Sequence, residues 1–250
     1  MAKVIAVTGK GGVGKTLVAA LMVKHLRQRS PGPILAVDAD PDANLATLLG
    51  VRIERTLADV REGTLDEIRK LPAGMNKAAY IEAGLHETLV ETEKVDFLAK
   101  GRSEGPGCYC YVNNLLRKFC DDLLPGYEWM VMDSEAGMEH LSRQTASKVD
   151  HLVVVVNANP LSVDCARRII EVIASVHNRV YNKHFLLNAV NEDRVEAVRR
   201  RMSGIPLDEL GQIPYDPAIE GAIFDGRSID DLDGTPAVVS MKGVMATLGA

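Results

Sequence analysis

Two kinds of segment are missing from this sequence. It has no long run free of charge, so we do not expect a helix that crosses a membrane. The N-terminus passes from a short apolar stretch directly into glycines and shows no signal-peptide cleavage pattern. We therefore expect a cytoplasmic protein with no membrane partner.

An excess of basic charge is missing as well. Lys and Arg number 29 against 34 Asp and Glu, which gives a net charge of −5. Nucleic-acid-binding proteins usually concentrate basic side chains on one surface. The basic run at 199–201 follows acidic residues and is typical of a solvated helix face. We expect no nucleic-acid partner.

Cysteines are few, with four in 250 residues. Thiols stay reduced in the cytoplasm, so these cysteines are candidates for metal or redox chemistry and not for a disulfide framework. A chain of this length buries a large core without help from a metal. Any metal site is therefore expected to be functional.

Short β-branched runs alternate with helical stretches along the chain. The runs predicted to be buried strands are Lys3–Thr8, Ile34–Asp38, Trp129–Asp133, Leu152–Asn157 and Phe185–Val190. This alternation predicts an α/β fold, in which a mostly parallel sheet is flanked by helices on both faces and ligands bind at the carboxyl ends of the strands. We expect one domain over residues 1–250. The region 52–100 is less regular, with helices predicted around Leu57–Lys70 and a strand at Val95–Ala99.

A phosphate-binding loop follows the first predicted strand. The segment Gly9–Thr16 matches the pattern G-x-x-x-x-G-K-[ST] in full and precedes a predicted helix. Backbone N–H groups in such a loop point at phosphate oxygens, and the helix N-terminus adds positive charge. We expect Lys15 to neutralise the β- and γ-phosphates and Thr16 to ligate Mg²⁺. The residues predicted to hold ATP or ADP here are Gly9, Gly11, Gly12, Val13, Gly14, Lys15 and Thr16.

A second lysine in the loop, Lys10, and the segment Asp38–Asp42 together carry a family resemblance. They resemble the deviant Walker A ATPases of the SIMIBI class, which include MinD, ParA, the nitrogenase iron protein and the CooC-type nickel maturation ATPases. The resemblance implies a homodimer that closes on nucleotide, with Lys10 reaching the partner's phosphates. It also implies that Asp40 lies in the first switch and positions the attacking water.

Four further roles are implied by the same resemblance. Asp133 is similar to the Walker B aspartate near Mg²⁺, and Gly137 to the second-switch glycine that donates to the γ-phosphate. Asn188 resembles an adenine-contacting asparagine, and the segment containing Ile213 and Pro214 resembles the one that packs on the base.

A thiol pair, Cys108 and Cys110, follows a glycine- and proline-rich turn. Two thiols separated by one residue project to the same side of an extended backbone. Thiolates suit Zn²⁺, Ni²⁺, Cu⁺ or iron–sulfur chemistry, but two of them do not complete a four-coordinate shell. The alternative is that both cysteines simply behave as small buried hydrophobes. The sequence predicts core positions for Cys120 and Cys165, which have no spaced partner.

The thiol pair together with Gly137–His140 resembles the CooC and AcsF branch. These ATPases assist nickel loading of carbon monoxide dehydrogenase and acetyl-CoA synthase, which would be the clients. The resemblance implies that one Ni²⁺, or Zn²⁺ in the same site, is held between the thiol pairs of two protomers, in a metal-binding segment near 101–120. Two alternatives remain open, namely a MinD- or ParA-like positioning switch and an electron-transfer ATPase like the nitrogenase iron protein.

Overall fold

The computed structural model describes residues 2–60, 83–102, 108–135, 148–175 and 179–250. Its strands are β1 (Lys3–Gly9), β2 (Ile34–Asp38), β3 (Leu89–Val90), β4 (Val95–Ala99), β5 (Trp129–Asp133), β6 (Lys148–Val156), β7 (Arg179–Asn188) and β8 (Asp208–Ile213). Its helices are α1 (Lys15–Arg29), α2 (Asn44–Leu49), α3 (Cys108–Leu123), α4 (Pro160–Ser175), α5 (Glu192–Met202), α6 (Pro217–Phe224) and α7 (Pro236–Thr247). Residues 57–60 and 83–86 are also helical.

The strands form one sheet in the order β3-β4-β2-β5-β1-β6-β7-β8. Neighbouring strands run parallel throughout, except that the short edge strand β3 is antiparallel to β4. The order reverses around β1, so the loops after β1, β2 and β5 meet at the carboxyl edge of the sheet. Ligands of open α/β sheets bind at such a reversal.

Apolar side chains cover both faces of the sheet. Along β1, Ile5 and Val7 belong to one buried cluster with α1, α2 and α7, whereas Val4 and Ala6 belong to a second cluster with α3, α4 and α5. This alternation explains why the central strands are apolar at every position. The expected α/β fold with helices on both faces is confirmed.

The predicted strand positions are confirmed, with differences at their ends. β2, β4 and β5 match the expected bounds, while β6 begins at Lys148 and β7 at Arg179, earlier than the apolar runs indicated. The added residues include His151 and His184, which are half-buried. Within the described ranges, no helix has both the length and the apolar character needed to cross a bilayer.

Candidate nucleotide site

The loop Gly9–Thr16 joins β1 to α1, as expected. Gly9 has φ 146° and Gly14 has φ 90°, values that side-chain-bearing residues rarely adopt. A Cβ on Gly9 would lie 2.6 Å from the carbonyl oxygen of Val155, and one on Gly14 would lie 2.2 Å from Nδ2 of Asn188. These two glycines are therefore required both by the backbone conformation and by the space available.

Positive charge is concentrated where this loop enters α1. Lys15 is the first residue of the helix and is only 7% exposed. No acidic side chain lies in the first turn of α1. An ammonium group next to the positive end of a helix is unfavourable unless an anion is close. The loop is thus suited to hold phosphate, with Lys10 half-buried at its start.

Two aspartates end adjacent strands beside the loop. Asp38 and Asp133 are paired in the β2–β5 register, and each is about 1% exposed or less. Asp38 accepts hydrogen bonds from the backbone N–H groups of Asp40, at 3.0 Å, and Leu45, at 2.8 Å. Burial, followed by the charge of Asp133, raises the pKa of Asp38 to about 7.

Asp133 differs because neither of its buried carboxylate oxygens has a hydrogen-bond partner among the described residues. Burial raises its pKa to about 6, an effect opposed by the nearby Thr16 hydroxyl and by the Lys15 ammonium. The buried hydroxyls of Thr8 and Ser134 are likewise unpartnered within the described residues. Orphaned oxygens beside a phosphate loop fit a hydrated Mg²⁺, which prefers oxygen ligands and keeps several waters. Thr16 and Asp133 are the residues that could hold it.

Asp40 lies in the loop between β2 and α2, and its side chain shapes that loop. Its Oδ1 accepts a hydrogen bond from the N–H of Asp42 at 3.1 Å, and its carbonyl accepts one from the N–H of Ala43 at 3.2 Å. Ala43 then adopts φ 50°, a conformation that is uncommon for a non-glycine residue. Strained backbone of this kind often occurs in segments that change conformation with a ligand.

A cavity of about 160 Å³ lies beside the loop, at the carboxyl end of β7 and β8. Asn188 and Pro214 line it, and the Asn188 amide donates a hydrogen bond to the carbonyl of Val13 at 2.8 Å. Ile213 does not line this cavity; it is fully buried in the cluster that contains α1. Of the two residues expected to pack on a base, Pro214 is the one that lines the cavity.

Sequence reasoning missed several residues around this cavity. Leu17, Tyr215 and Ile223 also line it, and Leu17 and Ile223 continue into a second cavity of about 400 Å³ beside Thr16 and Asn44. Tyr215 and Ile223 are exposed apolar side chains in the structure, a property that the sequence does not reveal. Together the two cavities give a partly apolar groove that leads to the phosphate loop, as a nucleoside would require.

Another missed residue is Lys100, which directly follows β4. It is 1% exposed, and its Nζ lies 3.0 Å from Oε2 of Glu135. A buried lysine is rare unless it is paired. Glu135 follows Asp133 in the segment that leads to Gly137, and Gly137 itself lies outside the described residues.

The thiol pair is located differently from the expectation. Cys108 is the first residue of α3, so the backbone at Cys108 and Cys110 is helical, and the extended backbone that would place both thiols on one side is not present. Positions separated by two residues do not share one face of a helix. The helix forms here because Leu116, Phe119 and Cys120 pack into the second cluster at helical spacing, and this helix extends back to Cys108.

The other two cysteines occupy apolar positions, as predicted. Cys120 is fully buried, and burial raises its thiol pKa. Cys165 is half-buried against the second cluster, and burial raises its pKa too, opposed by Lys15. In the part of the chain that the structure describes, no group of three or more His, Cys, Asp or Glu side chains could hold a metal ion.

Comparisons with known proteins agree with this geometry. The sequence matches the CobQ/CobB/MinD/ParA nucleotide binding domain over residues 4–229. It is 41% identical to an uncharacterized ATP-binding protein of Methanocaldococcus jannaschii, covering 90% of this chain and 89% of that protein. It is 30% identical to the carbon monoxide dehydrogenase accessory protein CooC of Rhodospirillum rubrum, covering 91% and 89%. The solved structure of the cell division protein MinD from Aquifex aeolicus superposes with a TM-score of 0.71 at 23% identity, covering 100% and 98% of the two chains.

Proposed function

This chain belongs to the CobQ/CobB/MinD/ParA nucleotide-binding family, and we propose that it is an ATPase that binds nickel between two protomers and delivers it to an enzyme under assembly. The client would be carbon monoxide dehydrogenase or acetyl-CoA synthase. ATP binding would form the dimer, and hydrolysis to ADP would release the metal.

The observation that carries this proposal is the thiol pair at the start of α3, in a chain similar to CooC. α3 follows β4, and β4 ends next to Asp38 in the β2–β4 register. The thiols thus belong to a segment that leaves the same edge of the sheet as the phosphate loop. The similarity to CooC extends over 91% of this chain.

The helical backbone at Cys108 and Cys110 changes how the metal would be bound. Since these positions do not share one face of a regular helix, both thiolates of a chain would bind one ion only if the first turn of α3 opened, as helix ends readily do. The partial positive charge at this helix start favours thiolate. Two protomers would supply four thiolates, which suit Ni²⁺ and also Zn²⁺.

The nucleotide site would control this assembly by differential binding. Lys15 and the loop N–H groups would hold the β- and γ-phosphates, and Lys10 would reach the partner's nucleotide. Bound Mg²⁺ would neutralise phosphate charge. Asp40 would orient the water that attacks the γ-phosphate. Loss of that phosphate removes the contacts that favour the closed dimer, so the metal ligands separate.

Cysteine variants test the proposal directly. In Cys108→Ser and Cys110→Ser we expect nickel binding of one ion per ATP-bound dimer to be lost, while ATP binding by the protomer is retained. Cys120→Ser is the matched control, because its thiol is fully buried and should leave nickel binding unchanged. Nickel measured by elemental analysis of the isolated dimer decides the matter. Undiminished stoichiometry in Cys108→Ser would refute the proposal.

A positioning switch is the second candidate, favoured by the similarity to MinD over the whole chain. Such a protein would be recruited to a surface by ATP. Sedimentation with anionic liposomes, in ATP and in ADP, separates the two functions. Binding to liposomes only in ATP, without any nickel binding, would favour the positioning switch.

A further inference from the structure

Lys100 is held rigidly at the edge of the sheet by its backbone. Its N–H donates to the carbonyl of Asp38 at 2.8 Å, and its carbonyl accepts from the N–H of Ala58 at 2.9 Å. The parallel pairing of β2 and β4 therefore continues through this residue. Its side chain is 2% exposed, so the position of the ammonium group is fixed as well.

The ammonium group reaches across the end of β2 to the chain that leaves β5. Its partner, Glu135, lies 3.0 Å away and has a side chain that is 25% exposed. The residues just before Glu135 are tied to the sheet, because Ser134 donates to the carbonyl of Val7 and Asp133 accepts from the N–H of Ala39. Glu135 directly follows these two residues, and Lys100 is positioned to hold its side chain.

A buried ammonium group is costly for a structural role alone. Removing one partner of a buried ion pair is strongly destabilising, yet replacing the whole pair by apolar side chains is often neutral. When one partner of an ion pair is rigid and the other is less buried, the contact can be strong in one conformation of the protein and weaker in another. The two chain segments that this pair joins also continue into different parts of the protein. After Lys100 the chain continues to Cys108, and after Glu135 it continues to Gly137.

We propose that the Lys100–Glu135 ion pair couples the nucleotide site to the thiol-bearing segment. Lys100 acts as a positioning residue for Glu135, and the strength of their contact differs between the ATP-bound and ADP-bound states. By linkage, the pair must then change the relative affinity for the two nucleotides. This proposal rests on the nucleotide switch of the proposed function and not on its metal.

A double-mutant cycle on the intact protein tests the coupling. The quantity measured is the ratio of the dissociation constants for ADP and for a slowly hydrolysed ATP analogue. We expect Glu135→Gln and Lys100→Met each to change this ratio about fivefold or more, and the double variant to change it no further. Lys24→Met is the matched control, since Lys24 is also 1% exposed but is paired with Asp233 far from both segments. Its ratio should stay unchanged.

The result that overturns the proposal is a ratio within twofold of wild type in Glu135→Gln, or additive changes in the double variant. Should Lys100→Met fail to fold, Glu135→Gln, whose glutamine keeps the size and hydrogen-bonding capacity, carries the test alone.

A second readout follows the thiols without any metal. In a Cys120→Ser, Cys165→Ser background, maleimide should modify Cys108 and Cys110 at rates that differ between the ATP analogue and ADP. Glu135→Gln should abolish that difference. Equal maleimide rates with the ATP analogue and with ADP in this background, before Glu135→Gln is introduced, would contradict the coupling. A difference that survives Glu135→Gln would contradict it as well. Since neither readout uses nickel, failure of the coupling is distinguishable from failure of nickel binding.

Discussion

The ends of β2 and β5 carry the same buried residue type in two different environments. At the end of β2, Asp38 accepts two backbone hydrogen bonds and so fixes the start of α2 through Leu45. At the end of β5, Asp133 is equally buried but has no hydrogen-bond partner among the described residues. Burial raises both pKa values, to about 7 and about 6.

This difference separates a structural carboxylate from one prepared for a ligand. A buried polar group without partners is costly, so its retention requires a compensating role. Asp38 has its compensation within the protein. For Asp133 we propose that a hydrated cation provides it, beside Thr16 and Lys15 of the phosphate loop, which both lower its pKa. The following predictions test this division, from the largest effect to the smallest.

Asp133→Asn should abolish most ATP hydrolysis. Loss of the carboxylate weakens the hold on hydrated Mg²⁺, and we expect the turnover rate to fall by about 10²-fold or more. The unliganded protein should become more stable, since an unpaired buried charge is removed. Steady-state hydrolysis and thermal unfolding measure the two effects. A variant that is both inactive and less stable would mean that Asp133 has a structural role.

Asp38→Ala should reduce the stability of the unliganded protein, whereas Asp133→Asn should increase it. It leaves the N–H groups of Leu45 and Asp40 without their acceptor, and we expect the free energy of unfolding to fall by about 1–3 kcal/mol. Denaturant unfolding without nucleotide measures this change. A gain in stability, as expected for Asp133→Asn, would show that Asp38 is also a ligand-binding carboxylate and not a structural one.

Thr16→Val should affect the site around Asp133 at the end of β5 and leave Asp38 at the end of β2 unaffected. It retains the size of the side chain and removes the hydroxyl beside Asp133, so we expect affinity for Mg²⁺ in the presence of ADP to fall about tenfold. Stability without ligand should change little, because Asp38 keeps its hydrogen bonds. Magnesium titration followed by calorimetry is the measurement. Unchanged magnesium affinity contradicts the role given to Thr16.

The stability difference between Asp133→Asn and wild type should depend on pH. The pKa of Asp133 is raised in the folded state, so the wild type is favoured when this carboxyl is protonated and loses that stability as pH rises from about 4 through about 6. Asp133→Asn lacks this titration. Its advantage should therefore be smallest below pH 4 and should grow as pH rises through about 6, with about 1 kcal/mol of that gain between pH 5 and pH 8. An advantage that is independent of pH would contradict the raised pKa.

The sequence predicted the features that depend on local pattern. The phosphate loop is recognisable because its glycines and Lys15 have fixed spacing, and β2 and β5 because they are buried on both faces. The ion pair between Lys100 and Glu135 was not predictable, since only the pairing of β2 with β4 and β5 brings these residues together. Likewise, the groove beside Pro214 needs Leu17 and Ile223, which are distant in sequence.

The thiol segment shows the limit of a local signal. The glycines and proline before Cys108 predicted a turn but did not predict the structure that follows it, which is helical from Cys108. The decisive signal was downstream, in the spacing of Leu116, Phe119 and Cys120. Burying these side chains stabilises a helix whose first turn includes both thiols.

The central claim is that nucleotide controls the sharing of a metal ion by two protomers. The most direct test is a nickel titration of the metal-free protein in ADP and in a slowly hydrolysed ATP analogue, with the mass of the complex measured at each step. We expect one tightly bound nickel ion per dimer with the ATP analogue, and weak binding to monomers with ADP. Nickel binding that is equal in both nucleotides and independent of dimer formation would contradict the account.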